Sequence, residues 1–197
     1  MFIDKPIAGS LVDALVIFQL AHHFDTPVFS SSSLRFTPAT LAVRDGSIGD
    51  VLGCDTYSPC SLEVTHPDLF WYGIHATEAL FTVMGPGCNS VVRTSTKNTD
   101  VVTGEWKDGK VGTFIGLRGA RGYNVTAFGT KKVVKQTKGG DYTPMLVECV
   151  KFFRTRKPPV SMEETIEIYA FMEAADESKR QGGKPVRIAD VLRANGW

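Results

Sequence analysis

Two short runs in this sequence carry side chains able to move a proton or grip a ligand oxygen. The first is Asp4-Lys5-Pro6, near the N-terminus. Proline's ring crowds the helical region of the residue before it, so Lys5 is expected to project from a stiff, extended backbone. A lysine held this way can hydrogen-bond a hydroxyl and orient it for hydride transfer. The second run is Phe70-Trp71-Tyr72-Gly73-Ile74-His75-Ala76-Thr77-Glu78, continuing to Met84-Gly85-Pro86-Gly87. In a helix over 70–84, His75 lies one turn from Trp71 and from Glu78. Histidine titrates near neutrality, which suits proton exchange with a hydroxyl. Each motif also has a plainer reading: an exposed lysine, and a core or capping histidine.

Composition narrows the classes of function. The chain has 197 residues, 43% of them apolar and 22% charged, which is ordinary for a globular protein with a core of its own. A net charge of +1 argues against nucleic acid or an anionic membrane as a partner. The lysines at 131, 132, 135 and 138 read as a solvated face. Cys54, Cys60, Cys88 and Cys149 form no C-x-x-C pair, no zinc-ligand spacing occurs, and a reduced, cytoplasmic setting is expected. Adjacent His22 and His23 point about 100° apart on a helix and cannot readily share one ion. No metal is expected.

The elements that must position the two motifs follow from local pattern. Ser10 caps a helix to Phe24 whose apolar residues cover nearly its whole circumference, so cover on several sides is expected. That cover would come from chain before residue 1, from a partner, or from the downstream domain. A strand over 28–34 follows, then a short helix from Ala39 to Arg44 and a strand from Val51 to Pro59. After the 70–84 helix come five short runs rich in Val, Thr, Phe and Tyr, separated by turn signals such as Asp108-Gly109. They read as an antiparallel meander over 90–136. Thr143-Pro144 opens one helix, Ser161 and Glu164 form a capping box for another that runs to about Gln181, and a short helix over 188–193 ends the chain. The expected class is α+β: an open, mainly antiparallel sheet with helices on one face.

In this order and spacing, the two motifs resemble the Gfo/Idh/MocA family of glucose-fructose, inositol and related oxidoreductases. Gly46-Ser47-Ile48-Gly49-Asp50 is similar to the family's G-x-I-G turn. The resemblance implies that residues 1–35 are the end of a dinucleotide-binding domain, with its last helix and strand. Residues 36–197 would then be the substrate-binding and oligomerising α+β domain. It implies NAD or NADP as cofactor, with Lys5 and Pro6 beside it. It implies that Lys5 orients a substrate hydroxyl and that His75 is the acid/base. Arg35, Trp71 and Tyr72 are further candidates for substrate contact.

Three departures from the family pattern stand out. Asp4 replaces the usual Glu. Trp71 stands where many members carry Asp, with Asp68 a conceivable stand-in. No G-x-G-x-x-G opens a helix near the start, and the glycines between 116 and 122 lie between strands. The expected protein is therefore the substrate-side portion of an oxidoreductase acting on a sugar or polyol. A homo-oligomer through the open sheet is expected, with a separate Rossmann chain as one way to complete the enzyme. The alternative is a non-catalytic sugar-binding or oligomerisation module that kept the fold.

Overall fold

A computed structural model describes residues 1–137, 139 and 141–197; Lys138, in the basic run, lies outside the described residues. The chain opens with a strand–helix–strand unit: β1 (Phe2–Asp4), α1 (Leu11–His23) and β2 (Phe29–Ser31). The two strands pair in parallel, with Ile3 opposite Ser30. A 3-10 turn (Ser33–Phe36) leads to α2 (Pro38–Arg44), β3 (Val51–Pro59) and a second 3-10 turn (Asp68–Phe70). Then come α3 (Ile74–Met84), β4 (Cys88–Ser95), β5 (Thr99–Trp106), β6 (Val111–Leu117), β7 (Asn124–Gly129) and β8 (Val133–Gln136). The chain ends with α4 (Thr143–Thr155), α5 (Met162–Arg180), β9 (Val186–Arg187) and α6 (Ile188–Ala194).

The main sheet has seven strands in the order β8-β7-β3-β6-β5-β4-β9. Every pairing is antiparallel except β3 with β6. The class expected from sequence is therefore observed. The meander needs one correction: β4, β5 and β6 pair in sequence order, as do β7 and β8, but it is broken between β6 and β7. β3, made earlier in the chain, inserts there, pairing Tyr57 with both Ile115 and Asn124. Turn signals join neighbours in sequence, and they say nothing about a strand arriving from elsewhere. The expected strand over 28–34 is also shortened, because Ser32 caps the 3-10 turn by accepting the Leu34 amide.

Helices α3 and α5 cover one face of the sheet. α5 begins at its expected capping serine: Ser161 accepts the Glu164 amide at 3.1 Å. The box is only half formed, because the Glu164 carboxylate turns to Arg35 and Arg44 instead of back to Ser161. Beneath these helices Phe81, Trp106 and Phe171 pack at centroid separations of 5.6–6.4 Å. Glycine at 104 makes room for them, since a Cβ there would stand 2.8 Å from the Phe171 ring. On the first unit, Leu11, Ala14, Leu15 and Phe18 of α1 are buried in the same core as α5. Each large side chain so buried contributes roughly 1.5–3 kcal/mol. Helix α5 thus covers one face of α1. The other face stays open, with Val12, Val16 and Leu20 about half exposed (46–52%). No helix among the described residues is long and apolar enough to cross a membrane.

Candidate active site

The parallel pairing of β1 and β2 brings their C-terminal ends to the same side. Lys5 and Pro6 follow β1 directly, and Ser32 follows β2. The Lys5-Pro6 peptide is cis. The second motif meets these ends from the start of α3. The chain turns at Asp68, whose φ is +54°, and the helix proper begins at Ile74, later than the sequence pattern implied. His75 therefore sits in the first turn of α3. Its Nδ1 lies 2.8 Å from Ser32 Oγ. The Lys5 Nζ stands 5.7 Å from the centre of the Tyr72 ring. Tyr72 meets the His75 ring edge-on at 4.9 Å, and Tyr123 does so at 5.7 Å. The two phenol oxygens are 3.5 Å apart. Lys5, Tyr72 and His75, 70 residues apart in sequence at the extremes, form one cluster with Ser32 and Tyr123.

The electrostatics of the cluster follow from its burial. His75 is 8% exposed. Burial, with the Lys5 charge adding to it, pushes the ring down from 6.5 to about 3. The ring is neutral at pH 7, able to accept at one nitrogen and donate at the other. Because the folded value is below the unfolded one, the folded protein binds fewer protons between the two. The stability attached to this difference is complete above pH 6.5 and is lost as pH falls toward 3. Thermal melts between pH 7 and pH 4 should therefore show a shallower decline for His75→Gln than for the native chain. Equal slopes would mean that the ring titrates normally.

The other expected ligand contacts divide. Arg35 is withdrawn from the site: it is 1% exposed and encloses two buried carboxylates. Its Nε donates to Glu78 at 3.3 Å and its NH1 donates to Glu164 at 2.6 Å. Burial raises the Glu78 carboxyl; Arg35, the Ser32 amide and the Ser31 hydroxyl offset this by donating to the same oxygen. The sequence showed an arginine after a strand, with no sign of two acids waiting for it. Trp71 lies in the turn before α3, with its ring 5.3 Å from that of His66. Asp68 does not stand in for the family's Asp, because Arg93 and Lys179 hold it at 2.5 and 2.8 Å.

Ser32 and Tyr123 join the cluster unannounced by the sequence, and Glu78 supports it through the Ser32 amide. Glu78 was visible one turn from His75. Ser32 was hidden inside an expected strand, and Tyr123 in a separate one. The G-x-I-G turn is present as expected, with Ile48 fully buried and Gly49 at φ +76°.

No family model matches this sequence, and no curated protein does. Solved structures do match. GenD2 from gentamicin A biosynthesis, solved in complex with NAD, is 16% identical, with a TM-score of 0.80 over 94% of this chain and 70% of that one. The myo-inositol dehydrogenase of Corynebacterium glutamicum is 14% identical, with a TM-score of 0.78 over 94% and 72%. The scyllo-inositol dehydrogenase of Lactobacillus casei, solved with NAD(H) and scyllo-inositol, is 14% identical, with a TM-score of 0.71 over 95% and 73%. Nearly all of this chain is matched, and about 70–73% of each of these. The chain therefore shares its α+β fold with these structures, two of them inositol dehydrogenases.

Proposed function

We propose that this chain is the substrate-side portion of an NAD(P)-dependent oxidoreductase acting on a sugar, polyol or related hydroxy compound. The observation that carries this reading is the meeting of Lys5 and His75 at the carboxyl ends of two parallel strands. Ligands of open α/β sheets bind at that end. The structures it matches include GenD2, solved with NAD, and a scyllo-inositol dehydrogenase solved with NAD(H).

The residues present fit one end of such a cofactor. The cluster at the ends of β1 and β2 offers a cation, two phenols and a neutral imidazole, the groups a nicotinamide and a hydroxyl-bearing ligand would meet. A glycine turn opening a helix after a strand, as needed for pyrophosphate, has no counterpart among the described residues. When bound, the cofactor supplies the hydride acceptor or donor. Lys5 and Pro6 would lie beside it. Lys5 would orient the ligand's oxygen, and His75 would exchange the hydroxyl proton, with Tyr72 and Trp71 as side walls.

The open face of the main sheet, with Tyr57, Val92, Val101 and Ile115 half-buried, is the surface proposed for a homo-oligomer. A cytoplasmic setting fits four buried, unbridged cysteines. The division at residue 35 follows the same reading.

The test joins this chain at Met1 to a Rossmann unit with its glycine turn and follows NADH formation over a panel of polyols and sugars. Turnover of at least one is expected. Turnover indifferent to both Lys5→Ala and His75→Ala would remove the assigned roles.

The second reading, a binding module without catalysis, is favoured by one observation. Trp71 replaces an acid and packs on His66, and Asp68 is tied to Arg93. Calorimetry showing sugar binding by the chain alone, without cofactor and without turnover in the joined protein, would establish it.

A further inference from the structure

Ser32 is the only protein group hydrogen-bonded to His75's ring among the described residues, and its own bonding decides which ring nitrogen carries the proton. The Ser32 side chain is buried with its residue at 1% exposure. A hydroxyl has one proton and two lone pairs. One lone pair accepts the Leu34 amide at 3.3 Å, as a cap does. The hydroxyl proton then needs an acceptor. Among the described residues Oγ has one such neighbour within reach, the His75 Nδ1 at 2.8 Å. The Glu78 carboxylate takes the Ser32 amide and the Ser31 hydroxyl, and no bond joins it to Ser32 Oγ. A neutral ring that accepts at Nδ1 carries its proton on Nε2. That nitrogen makes no hydrogen bond among the described residues.

We propose that Ser32 is a positioning residue that holds His75 in the Nε2–H tautomer, so that the resting site is a hydrogen-bond donor toward its ligand. The proposal rests on the reading of His75 as the group that meets the ligand's oxygen.

The consequence concerns which form of the ligand is recognised. With Nε2–H and the Lys5 ammonium, the site offers donors to an oxygen that has lone pairs and no proton. A ketone or aldehyde oxygen fits that description. A hydroxyl has a proton to give, and the ring can take it at Nε2 only when its own proton is on Nδ1. Ser32 allows that state too, because its hydroxyl can turn about the Cβ–Oγ bond and accept from Nδ1–H. A carboxylate partner would hold the Nδ1–H tautomer alone, and a backbone amide the Nε2–H tautomer alone. A serine hydroxyl serves both, so the ring can follow the ligand between its carbonyl and hydroxyl forms. The resting preference is for the carbonyl form.

The experiment is long-range proton–nitrogen correlation spectroscopy on the ligand-free chain with its histidines labelled with nitrogen-15, at pH 7. The His75 signals are identified by their loss in His75→Gln. In the native chain they should show one neutral tautomer, Nε2–H. Ser32→Ala should populate both tautomers at comparable levels, and Ser32→Thr, which keeps the hydroxyl, should restore the native pattern. If Ser32→Ala does not fold, Ser32→Cys takes its place with the same expectation, because a thiol is a weak donor. A native ring in the Nδ1–H form overturns the proposal. So does a Ser32→Ala (or Ser32→Cys) ring that keeps the pure Nε2–H pattern. No cofactor or turnover enters the measurement. A joined enzyme with no activity but an Nε2–H spectrum would count against the proposed function alone. An active one with an Nδ1–H spectrum would count against this inference alone.

Discussion

His75→Ala is expected to lower turnover of the joined enzyme by roughly 10²–10⁴-fold, the usual worth of a positioned acid or base. The ring is neutral at pH 7, with one nitrogen that can donate and one that can accept. Burial, the Tyr72 phenol and neighbouring Tyr142 push the Tyr123 phenol up, so it cannot substitute as a base near neutrality. The missing family Asp has no replacement either, since Asp68 is committed to Arg93 and Lys179. Lys5→Ala should lower turnover as well, and it separates from a general loss of structure by a second effect. The Lys5 charge helps to hold the His75 ring down. Removing that charge moves the ring's titration upward, which the pH dependence of the His75 nitrogen signals reads directly. Both variants are compared with the native chain by thermal melts, so that a fall in activity from unfolding is recognised. Native turnover in His75→Ala would mean that the histidine is only a core residue of α3.

Arg35→Met is expected to destabilise the protein by about 3–5 kcal/mol, the cost of leaving buried charges without their partner. Glu78 and Glu164 are both nearly enclosed, and Arg35 stands between them. The two acids lose unequally. Glu164 keeps Arg44 at 3.1 Å, and that arginine is about half exposed. Among the described residues Glu78 keeps the Ser31 hydroxyl and the Ser32 amide alone. The double variant Arg35→Met with Glu78→Gln should therefore recover part of the loss, a coupling expected of residues in one network. Urea unfolding checks this through a lower midpoint at unchanged slope. A cost of less than about 1 kcal/mol, the range of an exposed pair, would return Arg35 to the list of ligand contacts. The same network ties α3 to the end of β2 through Glu78 and Ser32, so Arg35→Met should also loosen the seat of His75.

Much of this was legible because its causes are local. A serine cap acts within three residues, and Ser161, by accepting the Glu164 amide, sets the start of α5. The turn at Ser47-Ile48-Gly49-Asp50 marks the start of β3, which runs from Val51 to Pro59. Lys5 before proline and His75 after Gly73 were visible as motifs, and the order of the two motifs pointed to the fold. What was misread depends on partners distant in sequence. The place of β3 between β6 and β7 follows from which edges are left free when the sheet assembles. Arg35 looks like any arginine at a strand end until Glu78 and Glu164, 43 and 129 residues away, close around it.

The sequence by itself determined most of the elements, their order, and the two residue types on which the proposed chemistry depends, because propensity, capping and turn geometry act within a few residues. Only the tertiary structure decided that Ser32 bonds the ring of His75, that Tyr123 completes the cluster, that Arg35 is an internal ion pair, and that the histidine is neutral. Those outcomes depend on burial and on contacts across tens of residues, and the free energy of a charge or a proton is set by what surrounds it in space.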